Sequence, residues 1–124
     1  MTVLVVDDQS GFRHLHARIL RGAGMVVLEA DTGRAALALA RTARPDVIVT
    51  DLEMPELNGI ELCRALRNDA ACKDLFIVMV SGSAATQGDE AVAAGCDAVL
   101  EKPCPPALLL TTIRTLLVRV RGPH

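Results

Sequence analysis

The run Val47-Ile48-Val49-Thr50-Asp51 constrains this chain more than any other stretch. Four β-branched residues end on a carboxylate, and Leu52-Glu53-Met54-Pro55-Glu56-Leu57-Asn58-Gly59 follows as a turn punctuated by Pro and Gly. A short apolar run bounded in this way reads as a buried strand. Strands buried on both faces belong to parallel sheets covered by helices. In an open sheet of that kind, ligands bind in the crevice beyond the carboxyl ends of the strands. Asp51 stands at that end, so function turns on which other residues reach the same edge.

The same reading extends along the chain. Thr2–Val6, Met25–Ala30, Leu75–Val80 and Asp97–Leu100 are further predicted strands. Helical spacing predicts a first helix from Ser10, a candidate N-cap, to about Arg21, with Phe12, Leu15, Ile19 and Leu20 as its apolar positions. Asp31-Thr32-Gly33 opens a second helix, with Asp31 read as its cap, and Pro45 stops it. Ile60 to about Asp69 and Thr86–Ala94 are the third and fourth helices; the fourth is Ala-rich and interrupted by Gly88. Pro105 and Pro106 start the last helix, which runs through Leu109, Ile113, Leu116, Leu117 and Val120. Regular alternation of five strands with five helices predicts one doubly wound α/β domain with right-handed crossovers. Its expected extent is residues 1–121, with 122–124 a tail or linker stub.

Composition narrows the function classes. Two Phe, no Tyr and no Trp force an aliphatic core, and leave nothing to sandwich a flavin ring. A net charge of −2 gives no reason to expect direct nucleic-acid binding. No stretch has the length of a membrane span, and no basic leader precedes the first strand, so a cytoplasmic setting is expected. Cys63, Cys72, Cys96 and Cys104 form no C-x-x-C pair and are read as free thiols, mostly buried.

The residues after the strands then form a set: Asp7 and Asp8, Asp51, Ser81 and Lys102. Each alone has a commoner reading, as a cap, an Asx turn, a loop serine or a solvated turn lysine. Together they are specific. Clustered carboxylates repel without a cation, and an all-oxygen donor set suits Mg²⁺. A lysine and a hydroxyl beside them supply the charge neutralisation that phosphoryl transfer requires. A carboxylate can itself be the nucleophile.

The motifs V-V-D-D at Val5–Asp8, D-L-E-M-P-E-L-N-G at Asp51–Gly59, S-G-S at Ser81–Ser83 and A-G-C-D-A-V-L-E-K-P at Ala94–Pro103 give the chain a family likeness. It resembles a receiver domain of the response-regulator family of two-component signalling, over essentially its whole length. The resemblance implies a flavodoxin-like fold with strand order 2-1-3-4-5. It implies that Asp51 accepts a phosphoryl group from a histidine kinase or a histidine phosphotransfer protein, so as to switch a downstream partner or output domain. Asp8, Asp51 and the Glu53 backbone carbonyl would bind Mg²⁺, with Asp7 acting through a water on the ion. Ser81 and Lys102 would hold phosphoryl oxygens, and the Lys102–Pro103 bond would be cis. Glu53 and Ser83 would govern water access, and small Gly82 would leave the phosphoryl group reachable. Val99 departs from the pattern, since the family usually carries an aromatic three residues before the lysine. No output domain is read after the receiver unit.

Two other readings compete. A Mg²⁺-dependent aspartyl-phosphate hydrolase of the haloacid-dehalogenase type carries a second Asp where this chain has Glu53. A non-phosphorylated interaction module would not need the intact set of five. His14 and His16 are read as solvated positions of the first helix, and Leu108, Leu110 and Val118 as either core or partner surface.

Overall fold

Residues 1–119 are described by the computed structural model. The expected boundary at residue 121, the 122–124 tail and Val120 lie outside the described residues. Ten elements alternate: β1 (Thr2–Val6), α1 (Ser10–Gly22), β2 (Val26–Ala30), α2 (Gly33–Ala43), β3 (Val47–Asp51), α3 (Gly59–Arg67), β4 (Phe76–Ser81), α4 (Ala84–Ala93), β5 (Ala98–Glu101) and α5 (Pro106–Leu117). All strand pairs are parallel, and the sheet order is β2-β1-β3-β4-β5. This is the expected flavodoxin-like, doubly wound sheet.

Successive strand residues point to opposite faces, so each strand feeds two cores. Val3, Val5, Val47, Val49, Val78 and Val80 pack with Ala17 and Leu20 of α1 and Leu109 and Ile113 of α5. Leu4, Val6, Ile48, Ile77 and Met79 pack on the other side with Ala36 and Ala40 of α2 and Leu62 and Leu66 of α3. Burial on both faces is why the strands lack polar alternation. Each fully buried Leu, Ile or Val contributes roughly 1.5–3 kcal/mol.

Helix starts differ from expectation in detail. Gln9 rather than Ser10 precedes α1, and it makes no side-chain cap. Thr32, not Asp31, caps α2, its Oγ1 accepting from Ala35 N at 3.0 Å. Asn58 and Glu61 close a capping box on α3, which satisfies two otherwise orphaned backbone donors. α4 starts at Ala84, earlier than expected.

The phase of α1 is the larger correction. His16, Ala17 and Leu20 face inward, whereas Phe12 and Leu15 are 39% and 50% exposed. His16 is therefore buried, not solvated, while His14 is exposed. Ala17 and Leu20 dock into the layer beside β1, and that contact sets the helix rotation. On α5, Leu109, Ile113 and Leu116 are buried and Leu110 packs partly against them, while Leu108 and Val118 are exposed.

Two features brace the turns at the two ends of the sheet, Gly59 at the carboxyl edge and Arg67 at the amino edge. A Cβ on Gly59 would collide with the Asp51 carbonyl and stand 2.9 Å from Leu52 Cα, so only glycine lets α3 begin this close to β3. Arg67 donates to the carbonyls of Gly95 (2.8 Å) and Leu75 (2.6 Å) and pairs with Asp97 (2.9 Å). Asp97 also accepts from Ile77 N at 2.8 Å. This hub ties α3 to the start of β4 and to the turn before β5.

Candidate functional site

Parallel register brings the strand-end residues together. Val6 is opposite Thr50, Asp51 opposite Val80, and Ser81 opposite Glu101. Asp7, Asp51, Ser81 and Lys102 therefore leave four adjacent strands, β1, β3, β4 and β5, at one edge. Asp31, at the end of β2, stays outside this set.

Lys102 Nζ lies 3.3 Å from Asp7 Oδ2 and 3.2 Å from Asp51 Oδ1. Asp7 Oδ1 accepts from Gln9 N at 2.9 Å. Asp7 and Asp51 are buried and Asp8 is exposed, with one carboxylate oxygen from each lying within 4.8 Å of the others. The ammonium offsets the charge of Asp51 without an aligned hydrogen bond, so Asp51 Oδ1 is buried with no hydrogen-bond partner. Burial raises the Asp51 carboxyl to about 6; Lys102 opposes that rise and Asp7 adds to it. Burial works against the charge on Lys102 too, yet Asp51 and Asp7 outweigh it and hold the ammonium above its ordinary range.

A hydrogen-bond chain lies beside Asp51. Ser81 Oγ donates to Glu53 Oε1 at 2.8 Å and accepts from Ser83 N at 2.9 Å. Burial alone would raise the Glu53 carboxyl, but hydrogen bonds from Ser83 and Ser81 outweigh it and lower it. Gly82 faces open space, and an added Cβ would touch nothing within 4 Å. Val99 is half-buried and packs against the α2–α3–α4 layer, and the Lys102–Pro103 peptide is cis.

Two contributors escaped the sequence reading. Arg13 donates to the Asp7 carbonyl at 2.9 Å and reaches Glu29 at 3.4 Å, bracing β1 against β2. Phe12 lies beneath the Lys102 ammonium, its ring centroid 4.6 Å from Nζ. A helix pattern alone does not disclose either partner. His16 is held below its ordinary range by burial, with Asp7 and Lys102 acting in opposite senses. The cysteines are free, and burial lifts Cys63 to about 12 and Cys96 to about 11, which leaves both as inert thiols.

The donor set suits a hard divalent cation. Three carboxylates converge, one of their oxygens is buried without a hydrogen bond, and no His or Cys stands among them.

A family model described as the response regulator receiver domain matches residues 3–114. The chain belongs to the response regulator receiver family. This receiver domain is 37% identical to a chemotaxis protein CheY of Pseudomonas aeruginosa, covering 98% of this chain and 100% of that one. It is 32% identical to the phosphate regulon transcriptional regulatory protein PhoB of the same species, covering 98% of this chain and 53% of that protein. Among solved structures, the chemotaxis response regulator CheY4 of Vibrio cholerae superimposes with a TM-score of 0.87 at 36% identity, covering 93% of this chain and 97% of that one. A response regulator structure from Chloroflexus aurantiacus gives 0.89 at 31% identity, covering 95% and 98%. The receiver domain thus spans the CheY relative whole and about half of PhoB. No helix among the described residues is long and apolar enough to cross a membrane.

Proposed function

We propose that this receiver domain takes a phosphoryl group onto Asp51 from the phosphohistidine of a partner kinase or phosphotransfer protein, and so switches a downstream partner. The observation that carries the reading is the buried, unbonded Asp51 oxygen facing Lys102 beside Asp7 and Asp8. One Asp51 carboxylate oxygen attacks phosphorus, the phosphorus–nitrogen bond to the donor imidazole breaks, and that imidazole leaves carrying a proton. Mg²⁺, held by Asp8, Asp51 and the Glu53 carbonyl with Asp7 behind them, would supply charge neutralisation on the phosphoryl oxygens. Lys102, already oriented by two carboxylates, would meet the same charge with its ammonium.

Ser81 has a competing commitment. Its one hydroxyl proton goes to Glu53 in the resting form, so it must leave Glu53 to donate to a phosphoryl oxygen. That exchange draws on the Ser81–Ser83 loop and hence on α4. Apart from Ala91, that helix has few apolar anchors, and its Val92 is 58% exposed. Segments with few buried contacts are those that shift at least cost. Val99 cannot repeat the swing of a larger aromatic, because its branched side chain is stiff at χ1. Signalling, rather than turnover of an external substrate, is the role assigned, with the domain assisting its own phosphorylation and dephosphorylation. The receiver unit is taken to extend through residue 121, and a cytoplasmic setting accompanies this role.

The test is incubation with acetyl phosphate or phosphoramidate, with and without Mg²⁺. Intact-mass and phosphate-release measurements should show one acid-stable, base-labile adduct that requires Mg²⁺. The adduct should be absent from Asp51→Asn. An adduct that persists in that variant overturns the assignment.

A further inference from the structure

Phenylalanine is scarce in this chain: only Phe12 and Phe76 occur. One of the two stands on the outer side of α1, 39% exposed, and takes no place in either core. Its position is explained instead by Lys102, whose Nζ lies 4.6 Å from the ring centroid. A lysine ammonium carries three N–H donors and is strongly hydrated. Here two carboxylates stand within 3.3 Å of it, and the aromatic ring is its third neighbour. The lysine side chain is only 14% exposed, so the ring stands where hydrating water would otherwise be. An aromatic face attracts a cation more strongly as water is excluded.

We propose that Phe12 is a positioning residue for Lys102, its ring face holding the ammonium against the Asp7 and Asp51 carboxylates. The functional consequence rests on the phosphoacceptor reading of Asp51. An ammonium kept dehydrated and aimed at Asp51 needs no rearrangement when negative charge develops on a transferring group. Without the ring, Lys102 gains water and freedom, and that preorganisation declines. The residue acts through Lys102 and touches no reacting atom.

The experiment compares wild type with Phe12→Leu, Phe12→Trp and a series in which Phe12 is replaced by increasingly fluorinated phenylalanines of similar volume. Two quantities are read: the proton chemical shift of the Lys102 ε-methylene in the metal-free protein, and the rate constant of phosphorylation by phosphoramidate with Mg²⁺. In the wild type the ring current moves the ε-methylene upfield. In Phe12→Leu that displacement should vanish, and phosphorylation should slow by about threefold to tenfold at unchanged Mg²⁺ affinity, the range of a partly desolvated cation–π contact. Phe12→Trp should restore the rate, and fluorination should lower it stepwise as the ring face loses negative charge. Because the fluorinated series preserves shape, it decides the matter even if the leucine variant folds poorly. Equal rates across that series, or equal impairment by Leu and Trp, would mean that only bulk matters, and would overturn the proposal. An upfield ε-methylene in a wild type that accepts no phosphoryl group would overturn the phosphoacceptor reading and leave the contact standing. An unshifted ε-methylene in a protein that does phosphorylate would overturn the contact alone.

Discussion

Replacing Asp51 by Asn should stabilise the metal-free domain, and only above mildly acidic pH. Burial lifts the Asp51 carboxyl to about 6, against about 3.9 for an ordinary Asp. Between those values the folded chain keeps a proton that the unfolded chain has released. Stability therefore falls as pH rises through that window, and is level above it. A displacement of about 2 pK units corresponds to about 3 kcal/mol. The figure already includes the attraction of Lys102 and the repulsion of Asp7. Asparagine keeps the shape without the charge, and Lys102 retains Asp7 at 3.3 Å, so no cation is orphaned. Asp51→Asn should accordingly gain up to about 3 kcal/mol at about pH 8, or about 10 °C in melting temperature. At about pH 4, where the folded carboxyl is already neutral, the gain should be under about 0.5 kcal/mol. The assay is urea unfolding of both proteins at the two pH values in the presence of a chelator. Added Mg²⁺ should then narrow or reverse the gap, since a cation bound to the native carboxylates stabilises only the wild type appreciably. A variant less stable than wild type at about pH 8, or one with the same advantage at both pH values, refutes the reasoning.

Lys102→Ala should retain Mg²⁺ binding yet slow phosphorylation by small donors, roughly 10- to 100-fold for loss of one preorganised charge; stopped-flow kinetics beside a metal titration separate the two effects. Glu53→Ala frees the Ser81 hydroxyl, and should tighten beryllofluoride binding several-fold by calorimetry, on the order of 1 kcal/mol for one released hydrogen bond. Swapping Glu53 and Ser83 together should change autodephosphorylation several-fold, about 1 kcal/mol in barrier; identical phosphate-release rates would show that water access is set elsewhere. Amide NMR with beryllofluoride should concentrate its changes at Ser81–Gly95, and a response confined to α1 would contradict a switch through α4.

Much was legible because it is written in local spacing. The apolar run ending at Asp51, the Pro–Gly turn after it, and the repetition of strand and helix periods are properties of neighbouring residues. They suffice for five strands, five helices and the set of residues at the strand ends. The pairing within that set is another matter. Lys102 meets Asp7 across 95 residues, a contact that exists only because β1, β3, β4 and β5 are adjacent. α1 shows the same limit. Its spacing named Phe12 and Leu15 as apolar positions, yet the docking of Ala17 and Leu20 turned His16 inward and Phe12 toward Lys102. The Ser81–Glu53 bond, the Arg67 hub and the raised pKa of Asp51 are likewise products of packing. Periodicity determines which face of a segment is apolar. The electrostatics of a buried site depend on distances between residues remote in sequence, and only the closed tertiary structure sets those.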